Sequence, residues 1–95
     1  MAKLNSPRIY AFTVTTTAKK LLEANLKRKA VLIFNNGDNP VELLSSSTAP
    51  YGQGMPIAAG SAYNNEHFNP QGEYWIICSS GTEDVRVEET IQDDA

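Results

Sequence analysis

The fold class of this chain is decided by the stretch KRKAVLIFNNGDNPVELL, residues 27–44. Val31, Ile33 and Phe34 are β-branched or aromatic, and such residues suit the pleated, half-buried surface of a strand. Asn36-Gly37 follows them, and this pair tolerates the positive φ angles that tight hairpin turns require. Pro40 has no backbone N–H, so it suits a turn or the start of a strand. The stretch therefore predicts a β-hairpin.

Strand-like segments continue on both sides of this hairpin. Residues 8–15 place Tyr10, Phe12 and Val14 on one face, residues 57–60 form a short edge element, and residues 61–68 resemble a polar strand. Residues 73–79 form the most apolar strand, with Trp75 expected as its largest buried side chain. Residues 84–89 alternate apolar and charged, which is typical of a strand with one face in water.

The number of such segments predicts the architecture. Turn signals recur about every 8–12 residues, a spacing typical of small sandwiches and barrels. We therefore expect an all-β fold, a single antiparallel β-sandwich of jelly-roll-like form with seven or eight short strands.

Residues 16–29 are compatible with two structures. Residues 18–24 are good helix formers, and Asn25 is suited to closing a helix. The apolar face of that helix would be thin, however, with only Leu21, Leu22 and Leu26. The alternative is a short strand over residues 20–23 with a turn at Ala24-Asn25. The β pattern on either side favours the strand.

Length and composition indicate one small domain over residues 1–95. Residues 1–7 are expected to be an irregular arm, and residues 90–95 a loose acidic tail. The hydrophobic fraction of 41% is compatible with a protomer that gains stability by packing on a partner. No stretch has the length of a signal peptide's apolar core or of a membrane span, so we expect synthesis in the cytosol and no membrane partner.

Catalytic and metal-binding patterns are absent from the sequence. A single cysteine cannot form a disulfide within the chain, and one cysteine with one histidine cannot form a zinc tetrad. His67 alone cannot form the HxH motif of cupins. Cys78 lies in an apolar run and is expected to be a buried small hydrophobe. A catalytic thiolate would need an activating base, and nothing in the sequence brings His67 to Cys78. We predict no enzyme activity, no catalytic residues, no cofactor and no metal.

The long polar loop at residues 45–56 is a second feature of the chain. Loops of this length without secondary structure are uncommon in compact domains and are often interaction surfaces. The alternative is a plain crossover between two sheets. Tyr51, with Gln53 nearby, is the aromatic residue best placed for exposed recognition.

Charge is distributed unevenly along the chain. Residues 19–29 carry five of the eight basic residues, and residues 83–94 carry six of the eleven acidic ones. The two clusters are either solvated faces or complementary contacts between protomers or with a platform. The net charge of −3 argues against a nucleic-acid partner. The candidate interaction surface comprises Lys27, Arg28, Lys29, Tyr51, Gln53, Glu88 and Glu89.

The order of these segments resembles a known group of proteins. It runs from Leu21-Leu22 and Arg28 through residues 30–37, 41–43, 54–60 and 74–77 to residues 85–89. Over residues 20–90 the chain is similar to small β-sandwich proteins encoded among the structural genes of tailed bacteriophages. These are often head decoration or cement proteins of the virion.

The resemblance implies a structural virion protein that binds the outside of the capsid and stabilises it. Its partner would be the major capsid protein or another virion protein. It would act as a homo-oligomer, with a trimer favoured, in virions assembled in the host cytoplasm. The alternative is a receptor- or glycan-binding module of a tail or head fibre that uses Tyr51.

Overall fold

The computed structural model describes residues 4–65 and 71–93, which form eight strands. They are β1 (Leu4–Val14), β2 (Lys19–Leu22), β3 (Arg28–Asn35), β4 (Val41–Leu44), β5 (Met55–Ile57), β6 (Ala62–Asn65), β7 (Tyr74–Cys78) and β8 (Glu83–Asp93). No helix occurs within these two ranges. The all-β prediction is therefore confirmed.

The strands form two antiparallel sheets of four strands each. The order is β1-β8-β3-β6 in sheet A and β2-β7-β4-β5 in sheet B. This is the order of a jelly roll, in which two Greek keys supply the two layers. Every connection between consecutive strands except that of β4 to β5 joins one sheet to the other.

The core lies between the sheets and consists of the inward-facing residues of each strand. Val31 and Ile33 of β3 and Val85 and Val87 of β8 supply the sheet A side. Sheet B contributes residues such as Ile76. Tyr10 and Phe12 of β1, in sheet A, pack at the margin of the core, as expected for one face of that strand. Burial of this apolar surface is the main stabilising term, at about 25 cal/mol per Å².

The predicted hairpin at residues 27–44 is wrong, although both of its strands exist. β3 pairs with β6 and β8 in sheet A, while β4 pairs with β5 and β7 in sheet B. The Asn36-Gly37 segment does not form a positive-φ turn, since the positive φ angles occur at Gly52, Gly60 and Gly81. The chain crosses between layers here because the buried Asn35 and Glu83 bind the connecting segment. Pro40 immediately precedes β4, as predicted.

The ambiguous stretch at residues 16–29 contains a short strand, β2, and no helix. β2 pairs with β7 through Lys19↔Ile76 and Lys20↔Trp75, with a register shift before Leu22. Leu21 and Leu22 are both buried in the core. Packing against β7 therefore outweighs the local helix propensity.

Both predicted chain ends are more regular than expected. β1 begins at Leu4, so the prediction of an irregular arm is wrong from Leu4 onward. β8 continues to Asp93, so the prediction of a loose tail is wrong up to that residue. Leu4 lies opposite Asp93, and Thr90 lies opposite Pro7. Pairing of the two ends with each other converts the expected arm and tail into strand. Residues 1–3 and 94–95 lie outside the described residues.

Two further predictions are wrong, and both concern residues that lie in or next to sheet B. Trp75 is half-buried on the outer face, where its indole N–H donates to Glu73 Oε1 at 3.0 Å, and is not a core residue. The loop after β4 leads to β5 in the same sheet, so it is a hairpin connection and not a crossover. The predicted strand at residues 61–68 is present as β6, and residues 66–70, including His67, lie outside the described residues.

Candidate functional site

Arg28 and Glu89, both predicted as surface residues, form a buried ion pair. The two side chains are 1% and 6% exposed, and Arg28 Nε donates to Glu89 Oε2 at 2.8 Å. Glu89 faces inward because it shares its parity on β8 with the core residues Val85 and Val87. The expected match of basic and acidic segments thus exists in part, but it lies inside the chain. Neither residue belongs to an exposed interaction surface.

The Arg28 guanidinium joins one end of β3 to the segments around sheet B. Its Nη1 donates to Gly72 O at 2.8 Å and its Nη2 to Glu23 O at 2.6 Å. Arg28 also lies over the ring of Tyr74, with 6.0 Å between Cζ and the ring centroid. A planar, always charged fork suits such a buried position better than an ammonium. The guanidinium of Arg28, held by Glu89, therefore clamps sheet A to the segments that flank β2 and β7 of sheet B.

A cleft with a volume of about 260 Å³ lies beside this ion pair. Tyr10 and Phe12 of β1 and Leu21 and Leu22 of β2 line it, so it opens between the edges of the two sheets. Tyr10 Oη donates to Glu89 Oε1 at 2.8 Å, and this bond raises the pKa of Tyr10. Within the cleft, Tyr10 and Arg28 both bond to Glu89, and this arrangement stabilises the fold.

Asn35 and Glu83 hold the other end of β3. Asn35 Nδ2 donates to Asn39 O at 2.8 Å and to Ile57 O at 2.9 Å, while Oδ1 accepts from Gly37 N. Glu83 accepts from the backbone N–H groups of Asp38 and Asn39 and from Asn39 Nδ2. These bonds lower the pKa of Glu83, and the bond from the Asn39 side chain contributes most. A Cβ at position 37 would collide with the Glu83 carboxylate and displace it from its hydrogen bonds to the connecting segment, so glycine suits the position.

The long loop between β4 and β5 is held by a carboxylate that sequence reasoning missed. Glu42 is 7% exposed, and its Oε1 accepts from Gly52 N at 2.7 Å and from Gly54 N at 3.1 Å. A side chain at Gly54 would strike Leu43 and Leu44, so the loop packs closely on β4. Tyr51 is 39% exposed and Gln53 is exposed. The loop thus presents both predicted residues on an ordered frame.

The remaining predicted surface residues lie elsewhere on the molecule. Lys27 and Lys29 are exposed at the start of β3, on either side of the buried Arg28. Glu88 is half-buried on the outer face of sheet A, opposite Ile9 and Leu32. No contact joins these residues to Tyr51 or Gln53 among those found in the described part of the chain. The structure does not assemble the seven predicted residues into one surface.

Cys78 is buried, as predicted, at 2% exposure. Its thiol lies 3.6 Å from Val14 O and 3.5 Å from Ser80 O, and both contacts suit a weak S–H donor. Burial is the main cause that raises the pKa of the thiol. A raised pKa keeps the group protonated and unreactive.

Parity along the strands is the signal that would have identified Asn35, Glu83 and Glu89 from sequence, whereas Arg28 and Glu42 do not share the parity of the core residues on their strands. Glu83 and Glu89 share the phase of Val85, Val87 and Ile91, so the alternation of β8 places both carboxylates inward. Within residues 4–65 and 71–93 there is no group of three or more histidine, cysteine, aspartate or glutamate side chains suited to a metal ion. In the same part of the chain, no helix has the length and apolarity to cross a membrane.

Comparisons with known proteins leave the family open. No family model matches the chain, and no curated protein matches it. A solved structure from Bacillus endospore appendages, described as a novel family of disulfide-linked pili, is similar with a TM-score of 0.63. The match covers 95% of this chain and 86% of that chain at 16% identity. At this identity the likeness shows the fold alone.

Proposed function

We propose that this protein is a structural virion protein, a head decoration or cement protein that binds the outside of a phage capsid and stabilises it. The observation that carries the proposal is the ordered loop between β4 and β5. Glu42 fixes its backbone, and the loop presents Tyr51 and Gln53 to solvent. A loop that is already ordered loses less conformational entropy when it docks on a lattice.

The polar groups of the core support a structural role. Arg28, Glu89, Asn35 and Glu83 are all bonded to other parts of the same chain. A solved neighbour of the same fold belongs to an assembled appendage, which is a precedent for this architecture in a structural subunit. The proposed partner is the major capsid protein or another virion protein, and a homo-oligomer is the proposed arrangement on the capsid.

Binding to capsids prepared without this protein tests the proposal. The protein is incubated with such capsids, and co-sedimentation and the capsid's thermal disruption temperature are measured. We expect saturable binding and a higher disruption temperature. The double variant Tyr51→Ala with Gln53→Ala should weaken binding at least tenfold, because side chains at the centre of an interface carry most of its energy.

Ser79→Ala is the matched control for that double variant. Ser79 is exposed just after β7, at the end of sheet B opposite the loop, since Cys78 pairs with Val41 and Trp75 with Leu44. This control should bind like the native chain. Absence of binding to the capsid, or equal loss in the control and the loop variant, would contradict the proposal.

Glycan or receptor binding is the second candidate function, and the exposure of Tyr51 favours it. An aromatic side chain on an ordered loop is a suitable stacking platform for a sugar ring. Retention on a glycan array that is lost in the Tyr51→Ala variant, together with no capsid binding, would select this function over the first.

A further inference from the structure

The edge strands of the two sheets differ in how they are protected against pairing with another chain. Among the described strands the edges are β1, β6, β2 and β5. β5 has three residues including Pro56, β2 has four residues with Lys19, Lys20 and a register shift, and β6 has four residues. Short length, proline, lysine and bulges are the devices by which proteins protect sheet edges.

β1 is the exception, because it is eleven residues long. Its segment from Ile9 to Val14 contains no charge, proline or glycine, and consists of residues that favour strands. Ile9 is 72% exposed on this strand. A long, uncharged edge of this kind is a template for the addition of another strand.

Hydrogen bonds on the far side of β8 show which residues of β1 face the open edge. Asp84 O accepts from Asn36 N, and Gln92 N donates to Lys27 O, so the even-numbered residues of β8 direct their backbone groups towards β3. The backbone N–H and C=O groups of its odd-numbered residues therefore point towards β1. These residues lie opposite the even-numbered residues of β1. The backbone groups of the odd-numbered residues Ile9, Ala11 and Thr13 consequently point away from the sheet.

Pro7 agrees with this assignment. It shares the parity of Ile9, Ala11 and Thr13 and lies opposite Thr90 within the paired strand. A proline in a sheet is tolerated where the missing N–H would face solvent. Beyond Pro7, the open edge has an unbroken set of donors and acceptors through Thr13.

We propose that two copies of this chain pair through β1, antiparallel and about a two-fold axis at Ala11. This register places Ile9 opposite the partner's Thr13 and Tyr10 opposite the partner's Phe12. It supplies about six backbone hydrogen bonds and aromatic cross-strand pairs. Sheet A of one copy and sheet A of the other form one continuous eight-stranded sheet across the dimer. The inference is independent of capsid binding and stands if the proposed function fails.

Cysteine cross-linking tests both the contact and its register. With Ala11 on the axis, the two copies of that residue lie about 5.5 Å apart between Cα atoms, within disulfide range. Position 9 is the matched control, because its two copies lie about 14 Å apart in this register. Under mild oxidation we expect the Ala11→Cys variant to form a disulfide-linked dimer at least tenfold faster than the Ile9→Cys variant.

Sedimentation of the native chain provides the independent measurement. We expect a dimer, or a larger assembly with an even number of copies, and dissociation in the Ala11→Glu variant, which places two carboxylates on the axis. Ala62→Glu is the matched control, since Ala62 is exposed on β6, the other edge strand of sheet A. This control should keep the native mass. A monomer, a trimer, or equal cross-linking at positions 9 and 11 would overturn the proposal.

Discussion

The two ends of β3 are fastened to the opposite layer by different chemistry. At its start, the guanidinium of Arg28 binds a carboxylate and two backbone carbonyls, on segments that follow β2 and precede β7. At its end, the neutral amide of Asn35 and the carboxylate of Glu83 bind mainly backbone groups. The first end depends on one charge, whereas the second divides the same task between two side chains. Loss of a single group should therefore be more damaging at the first end.

Arg28→Met should produce the largest effect. The substitution leaves Glu89 as a buried, unpaired charge and leaves the carbonyls of Gly72 and Glu23 without this donor. Removal of one partner of a buried pair costs about 3–5 kcal/mol. Urea unfolding should show this drop in the free energy of unfolding.

A double variant separates the charge from the packing. Arg28→Met with Glu89→Leu removes both charges, and replacement of a buried pair by apolar groups is often neutral or stabilising. The double variant should therefore be more stable than Arg28→Met alone. If the single variant lost less than about 1 kcal/mol, the clamp would not have the importance assigned to it.

Asn35→Ala should have the next largest effect. It removes both donors of the amide and the acceptor for Gly37 N, leaving Ile57 O buried without this partner. We expect a loss of about 2–3 kcal/mol in the free energy of unfolding, measured in urea. Asn36→Ala is the control, because Asn36 is exposed and its side chain bonds to Asp84; its loss should stay below about 1 kcal/mol. Equal losses would remove the distinction between the two neighbours.

Glu83 should make stability depend on pH. Its pKa is lower in the folded chain than its ordinary value of 4.5, so the unfolded chain takes up this proton first as the solution becomes acidic. The associated stability is present above about pH 4.5 and is lost as the pH falls through the folded value. Unfolding free energies measured between pH 6 and 3 should fall less steeply in the Glu83→Gln variant. Parallel curves would show that Glu83 does not contribute.

Lys27→Gln and Lys29→Gln should have the smallest effects. Both residues are exposed neighbours of Arg28 in the sequence. Surface substitutions usually change stability by less than about 0.5 kcal/mol. The free energies of unfolding of these two variants and of Arg28→Met are measured in urea. The comparison tests whether Arg28 is the only one of the three adjacent basic residues that supports the fold. A loss above about 1 kcal/mol in either lysine variant would contradict this assignment.

The strands were largely predictable from sequence, whereas the pairing of strands was not. Alternation and β-branched residues are local properties, and they correctly predict strands at residues 8–15, 30–34 and 84–89. A hairpin and a crossover, however, have similar local sequences. The choice at residues 36–40 depends on Glu83, which is 45 residues away from Asp38 in the sequence.

The same limit applied to the candidate site. Charge alone assigned Arg28 and Glu89 to the surface, although the alternation of β8 would have placed Glu89 inside. The apolar neighbours of Trp75 predict a core position, yet the side chain lies on the outer face beside Lys20, whose Nζ is 5.3 Å from the indole centroid. Tyr51 and Gln53 were placed correctly at the surface because their loop is polar and rich in glycine and proline.

The pairing of β1 with β8 has a consequence for how the chain is made. β1 is translated before all the other described strands and its partner β8 after them; Tyr10 and Glu89, bonded in the folded state, are 79 residues apart. Contacts so distant in sequence form slowly, because closing a long loop has a large entropic cost. During synthesis both edges of β1 are therefore open until the ribosome has completed β8. In this interval the segment from Ile9 to Val14 is uncharged, strand-favouring and unpaired on the nascent chain, so it needs protection from aggregation.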